Sequence, residues 1–171
     1  KKSIWYKKSY FELYKKASIP LSWQKKILQR AKLKGILGFS TPFDEESVDF
    51  LEKMNVPCYK IASFENNHFP LLKKIAETKK PVIMSLGMLS LNEIKESYEY
   101  LKNNGTKEIA LLKCTSVYPA RESELNLKTI KDLRKKFDCE IGFSDHTNDI
   151  YASICAVSLG ATIIEKHFNL A

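Results

Sequence analysis

His146 and His167 each close a short run rich in β-branched and aromatic residues, in Ser144-Asp145-His146-Thr147 and Glu165-Lys166-His167. Two neutral imidazoles at matching ends of neighbouring strands can hold one divalent cation. Taken singly, either histidine reads as a hydrogen-bonded core residue; the matched placement is what argues for metal. Asp145 and Glu165 stand beside them and are candidates to orient the ligands.

Four earlier apolar runs end in the same way. Their polar closures are Ser40-Thr41-Pro42-Phe43-Asp44, Lys60 with Ser63 and Glu65, Ser85 with Gly87, and Lys113-Cys114-Thr115-Ser116. Lysine, serine and threonine supply cationic and hydroxyl donors suited to carboxylate and phosphate oxygens. Glu65 is a candidate general acid or base if burial raises its pKa. It also reads as a carboxylate placed at a helix N-terminus. Asp44, before Glu45-Glu46, reads as a helix N-cap, His68 as a surface residue, and Arg121 and Glu122 as loop charges.

The elements that must position these residues are βα units. Strands are expected at Ile36–Phe39, Cys58–Ile61, Val82–Met84, Ile109–Leu112, Glu140–Phe143 and Thr162–Ile164. Stretches of helical period separate them. In 44–54 the apolar Val48, Leu51 and Met54 recur on one face. Ser90 and Glu93 have the spacing of a capping box, opening a helix that runs towards Leu101 and stops near Asn103-Asn104-Gly105. Residues 126–137 form a further expected helix. Alternation of this kind builds a parallel sheet, either open or closed into a barrel. No glycine-rich phosphate loop follows any run, which favours the barrel, where polar strand ends converge on one mouth.

Composition narrows the classes. The 171 residues are 44% hydrophobic and 28% charged, values of a globular chain. No apolar run is long enough to span a bilayer and no leader-like segment opens the chain, so a cytoplasmic protein without membrane contact is expected. The four cysteines form no C-x-x-C pair and read as reduced structural thiols. The net charge of +8 comes from lysines spread over the helical stretches, without a stripe interleaved with aromatics. A nucleic-acid partner is therefore not expected, whereas an anionic substrate is favoured.

Six motifs in fixed order resemble the nonulosonic acid (sialic acid) synthase family. They are Phe39-Ser40-Thr41-Pro42-Phe43-Asp44, Lys60-Ile61-Ala62-Ser63-Phe64-Glu65, Pro81-Val82-Ile83-Met84-Ser85-Leu86-Gly87-Met88, Lys113-Cys114-Thr115-Ser116-Val117-Tyr118-Pro119, Gly142-Phe143-Ser144-Asp145-His146-Thr147 and Gly160-Ala161-Thr162-Ile163-Ile164-Glu165-Lys166-His167-Phe168. The resemblance runs from about Gly35 to Leu170. It implies an incomplete (β/α)8 TIM barrel in which residues 1–171 supply about strands 3–8. It also implies condensation of phosphoenolpyruvate with the open-chain aldehyde of an N-acetylated amino sugar, giving a nine-carbon 2-keto acid and phosphate.

Carried over by motif, Thr41, Lys60, Ser63, Ser85, Ser116 and Ser144 would bind phosphoenolpyruvate, and Tyr118 would line the pocket. His146 and His167 would hold Mn2+, with Mg2+ or Co2+ as alternatives, and Glu65 would handle a proton or position the acceptor. Lys-Ile-Ala-Ser-Phe-Glu and Ile19-Pro20-Leu21-Ser22-Trp23 resemble the pseudaminic branch, whose acceptor is a 2,4-diacetamido-2,4,6-trideoxy hexose. N-acetylneuraminate or legionaminate synthesis is the alternative.

Departures from the family pattern are Leu86 for a usual Thr, Lys113 for a common His and Asn169 for an expected Thr. Relative to the family, the first two barrel strands, the last barrel helix and a C-terminal antifreeze-like domain lie outside the chain. That domain closes the partner's site in a homodimer, so the 171-residue chain alone is expected to be inactive. Two other readings stay open: a Schiff-base aldolase barrel using Lys60, Lys113 or Lys166, and a non-catalytic fragment.

Overall fold

The structure, a computed structural model, describes residues 9–168, and the chain divides after Gly38 into two compact units. The first holds helices α1 (Tyr10–Ala17) and α2 (Leu21–Leu33), neither of which buries a residue. Gly35 takes a left-handed φ of 69° past the end of α2, as a helix-terminating glycine does. The Ile36 amide then donates back to the Ala31 carbonyl at 3.0 Å.

That bond corrects one expectation. Residues 36–39 form no strand, because the Ile36 donor is already spent on the helix end, and Ile36 and Leu37 are exposed. Only Ser40 pairs, through a lone parallel bridge to Tyr59.

The second unit alternates strand and helix: α3 (Glu45–Lys53), β1 (Tyr59–Ile61), α4 (Phe69–Glu77), β2 (Val82–Ser85), α5 (Leu91–Asn103), β3 (Ile109–Cys114), α6 (Thr129–Lys136), β4 (Glu140–Asp145), α7 (Tyr151–Ser158) and β5 (Ile164–Lys166). Local chemistry accounts for the helix starts. The Asp44 carboxylate accepts from the Ser47 amide at 2.7 Å, so it is the N-cap its position suggests. The Ser90–Glu93 capping box forms as the spacing predicts. From α5, Ile94, Tyr98 and Leu101 are buried, one stripe at helical spacing.

All neighbouring strands pair in parallel, in the order β1-β2-β3-β4-β5. Strictly sequential order is that of a (β/α)8 barrel; a doubly wound sheet reverses direction partway. The sheet is also curled. In a flat sheet β1 and β5 would lie about 19 Å apart, four spacings of about 4.8 Å. Yet Lys60 of β1 and Glu165 of β5 approach to 3.5 Å, which requires the strands to bend round towards each other. The fold is thus a (β/α)8 barrel in part.

Burial agrees with this geometry. Every residue of β1 and four successive residues of β3 are buried, the two-sided burial of a parallel strand covered by helices. Tyr59, Ile61, Met84, Leu111, Leu112, Ile141 and Phe143 are the largest fully buried side chains of the sheet. At Gly142 a Cβ would lie 2.4 Å from the Ile163 carbonyl oxygen, so only glycine lets β4 sit against that segment. No helix among the described residues is long and apolar enough to cross a membrane.

Candidate active site

The strands reach further than their apolar runs. Ser85, Cys114, Ser144, Asp145, Glu165 and Lys166 all lie within ladders. Hydrogen-bonded neighbours therefore fix these backbones, where loops would leave them mobile. All of them but Asp145 line a cavity of about 430 Å³ at the C-terminal ends of the strands.

Lys60 is 6% exposed. Its ammonium donates to Ser85 Oγ at 2.7 Å and to the Ile61 carbonyl at 3.0 Å. Glu165 Oε1 lies 3.5 Å away. Burial lowers the Lys60 pKa, and the Glu165 charge works against that. Glu165 Oε2 in turn accepts from Ser144 Oγ at 2.5 Å and faces Ser85 Oγ at 3.5 Å. One carboxylate thus gathers donors from β1, β2 and β4.

His146 Nδ1 lies 2.9 Å from the Thr115 carbonyl. A carbonyl can only accept, so Nδ1 carries the ring proton and Nε2 carries the lone pair. Ser144 Oγ, 3.3 Å from that Nε2, has its single proton committed to Glu165. The Nε2 lone pair is then free for a cation. Burial lowers the His146 pKa, as does His167, and keeps the ring neutral. The His167 ring stands 5.4 Å from it at 81°. The Tyr118 ring packs 4.1 Å from His146 and 5.5 Å from His167.

These donors fit a divalent cation held by two imidazoles. Among the described residues no group of three or more His, Cys, Asp or Glu converges on one point.

Of the residues singled out from sequence, Thr41, Lys60, Ser63, Ser85, Tyr118, Ser144, His146 and His167 all line the cavity. Ser116 and Glu65 do not. Ser116 packs behind Gly87, where a Cβ would come within 2.0 Å of Ser116 Oγ and 2.7 Å of Ser63 Oγ. Glu65 keeps one buried oxygen, Oε2, without a hydrogen-bond partner. Burial raises its pKa, with its own backbone, His68 and Lys60 opposing. Lys113 turns its ammonium to the Cys114 carbonyl and Thr115 Oγ1, and burial lowers its pKa. Asn169 lies outside the described residues.

Asp145 and Glu165 behave differently from the sequence expectation, because neither hydrogen-bonds a histidine. Asp145 is fully buried and bonded to Thr147, Ser153 and Lys166. Burial pushes its carboxyl up, but the bonds from Ser153, Thr147 and Lys166 outweigh it and hold the pKa low. Asn66 went unnoticed in the sequence. It is 1% exposed and donates to the carbonyls of Ser85 and Gly87 at 3.1 and 3.3 Å, holding the end of β2. A lone asparagine in a polar loop carries no signal of that task.

The sequence matches the model of the NeuB family over residues 1–171. The chain belongs to the NeuB family. It is 42% identical to a pseudaminic acid synthase of Campylobacter jejuni over 99% of its length and 50% of the relative's. Similarity to an N,N'-diacetyllegionaminic acid synthase of the same organism is 44% identity, over 95% of this chain and 49% of the relative's. A crystal structure of an N-acetylneuraminic acid synthetase from Leptospira borgpetersenii, in complex with citrate, superposes with a TM-score of 0.90 at 35% identity, covering 94% of this chain and 56% of that one. The chain spans about half the length of the curated relatives it matches. This NeuB-family chain thus carries the expected fold class and the expected kinship.

Proposed function

We propose that this chain forms the greater part of the active site of a phosphoenolpyruvate-dependent nonulosonic acid synthase acting on an N-acetylated amino-sugar aldehyde. The observation that carries the reading is one cavity in which buried Lys60, Ser85 and Ser144 face the paired rings of His146 and His167. An anionic three-carbon donor needs cationic and hydroxyl anchors, and a carbonyl electrophile needs polarisation; the cavity supplies groups for both.

In this mechanism Lys60, Ser63, Ser85, Ser144 and Thr41 hold the carboxylate and phosphate of phosphoenolpyruvate, with Ser116 behind them. C3 of the enol forms the new carbon–carbon bond to the sugar aldehyde carbon as the C=O π bond opens to a hydroxyl, whose proton is balanced by the one lost from the water that adds next. Water adds at C2, and the C2–O bond to phosphate breaks, leaving the 2-keto acid and inorganic phosphate. His146 and His167 would hold a divalent ion, by preference Mn2+, which when bound supplies Lewis acidity towards the aldehyde. Glu65, whose carboxyl is pushed up by burial and which stands off the cavity wall, would either handle a proton or position the acceptor sugar. Tyr118 packs on both rings and limits their rotation.

The pseudaminic precursor is the proposed acceptor, on the strength of Ala62-Ser63-Phe64-Glu65 with its exposed Phe64. Overall identity does not discriminate, since the pseudaminic and legionaminic relatives match almost equally. The half-length match supports a longer working enzyme; the remaining barrel strands, an antifreeze-like domain and a homodimer would complete the site. Residues 1–171 alone should then be inactive. The test is phosphate release by the full-length protein with Mn2+ and phosphoenolpyruvate. N-acetylmannosamine, the legionaminic precursor and the pseudaminic precursor are compared as acceptors. Release with the pseudaminic precursor at the highest kcat/KM is expected; release with none of the three refutes the reading.

A further inference from the structure

The residues before the two histidines are themselves partners. In the β4–β5 ladder Asp145 is registered with Lys166, and the first residue past each strand end is His146 or His167. Asp145 Oδ2 accepts from Lys166 Nζ at 3.0 Å, and the same ammonium donates to the Thr147 carbonyl at 2.9 Å. Asp145 Oδ1 accepts from the Thr147 amide at 2.9 Å and from its hydroxyl at 2.7 Å. Ser153 Oγ, on α7, closes the set on Oδ2.

Four donors saturate this fully buried carboxylate, so it has no lone pair to offer a metal or an imidazole. What it does instead is join four pieces of backbone: β4 before His146, the turn after His146, β5 before His167, and the start of α7. His146 is pinned on both sides, with residue 145 and residue 147 tied to one another and to Lys166. Its ring orientation is set separately, by Thr115.

We propose that the Asp145–Lys166 pair is a positioning clamp that sets the separation of His146 and His167 and hence the affinity of the two-histidine site. The clamp rests on the two-histidine metal reading given above. An ion pair suits the task, because it couples the two strands at the position nearest the ligands, where the ladder ends and backbone bonding no longer holds the spacing. Lys166 also lines the cavity, whereas Asp145 does not, so the two variants separate positioning from direct contact.

The test uses full-length protein and Mn2+ alone as the probe, with free Mn2+ followed by electron paramagnetic resonance and unfolding followed by circular dichroism. Asp145→Asn keeps the shape and removes the charge. Lys166→Met removes the pair but leaves Asp145 its bonds from Thr147 and Ser153. Each folded variant should bind Mn2+ about 10- to 100-fold more weakly, the usual cost of losing a group that orients a metal ligand. The double variant should lose no more than the worse single one, since the two act as one unit. Phosphoenolpyruvate affinity of Asp145→Asn without metal should stay within about twofold of the parent.

Unchanged Mn2+ affinity in either folded variant overturns the clamp, even if its melting temperature falls, because the pair would then only support the scaffold. If Asp145→Asn does not fold, Lys166→Met decides alone. His167→Ala is the control for the underlying reading and should abolish Mn2+ binding. Parental affinity in that variant would refute the two-histidine site itself, a failure distinct from that of the clamp.

Discussion

Replacing Glu65 by Gln should make the protein more stable and less active at once. Glu65 holds one carboxylate oxygen buried without a partner, and burial raises its pKa. A raised acid pKa means that the folded state disfavours the ionised form. Above the folded pKa this penalty is fully present; it fades as pH falls through the folded value towards that of the unfolded chain, where both states are protonated. Glutamine keeps the shape and carries no charge, so it escapes the penalty.

A buried unsatisfied polar group costs about 1–3 kcal/mol and more when charged, and glutamine escapes only that charged excess. Because Glu65 is only half-buried, solvent screening trims the gain to about 1 kcal/mol. For a full-length protein about twice the size of this chain that is about 1–2 °C in melting temperature. Thermal unfolding of the full-length protein at pH 7.5 and pH 4.5 reads the gain and its disappearance. Phosphate release should meanwhile fall by about 10²- to 10⁴-fold, the scale of a lost acid–base group. A Glu65→Gln protein no more stable than the parent at pH 7.5, or one whose gain is the same at both pH values, would refute the reasoning about burial. Full activity would refute the role.

Lys60→Met removes the buried ammonium that bonds Ser85 and faces Glu165, and should weaken phosphoenolpyruvate binding by about 2–4 kcal/mol, or about 30- to 1,000-fold by calorimetry. Borohydride with a carbonyl substrate tests the Schiff-base alternative and should leave no adduct on Lys60 of the parent protein. Gly87→Ala drives a methyl into Ser63 and Ser116; overpacking of this kind costs about 1–3 kcal/mol in denaturant unfolding and should also raise KM for phosphoenolpyruvate. Ser90→Ala deletes one half of the α5 capping box and should cost about 1 kcal/mol with kcat unchanged.

The βα alternation, the capping box and the Asp44 cap were legible because each depends on local chemistry: periodicity, side-chain reach and backbone donors a few residues apart. Strand ends were drawn short for the same reason. Apolar character stops at Met84, Leu112 and Phe143, but ladder bonding continues through Ser85, Cys114 and Asp145. Polar side chains facing a barrel mouth do not look like strand in a hydropathy pattern. Conversely, residues 36–39 look like strand and are not, because one amide donor has a better local use in capping α2.

By itself the sequence determined the βα alternation, the barrel class, the family and the identity of the polar residues at each strand end. These follow from short-range patterns and from motifs kept in order. Only the tertiary structure decided which of those residues meet. It took the curl of the sheet to bring Glu165 of β5 against Lys60 of β1 and to give that carboxylate donors from three other strands. It also moved Ser116 and Glu65 off the cavity wall, and paired Asp145 with Lys166 rather than with a histidine. Such contacts join residues up to 105 positions apart in the chain, and no local propensity encodes them; they are set by strand register and sheet curvature, which exist only once the strands have packed.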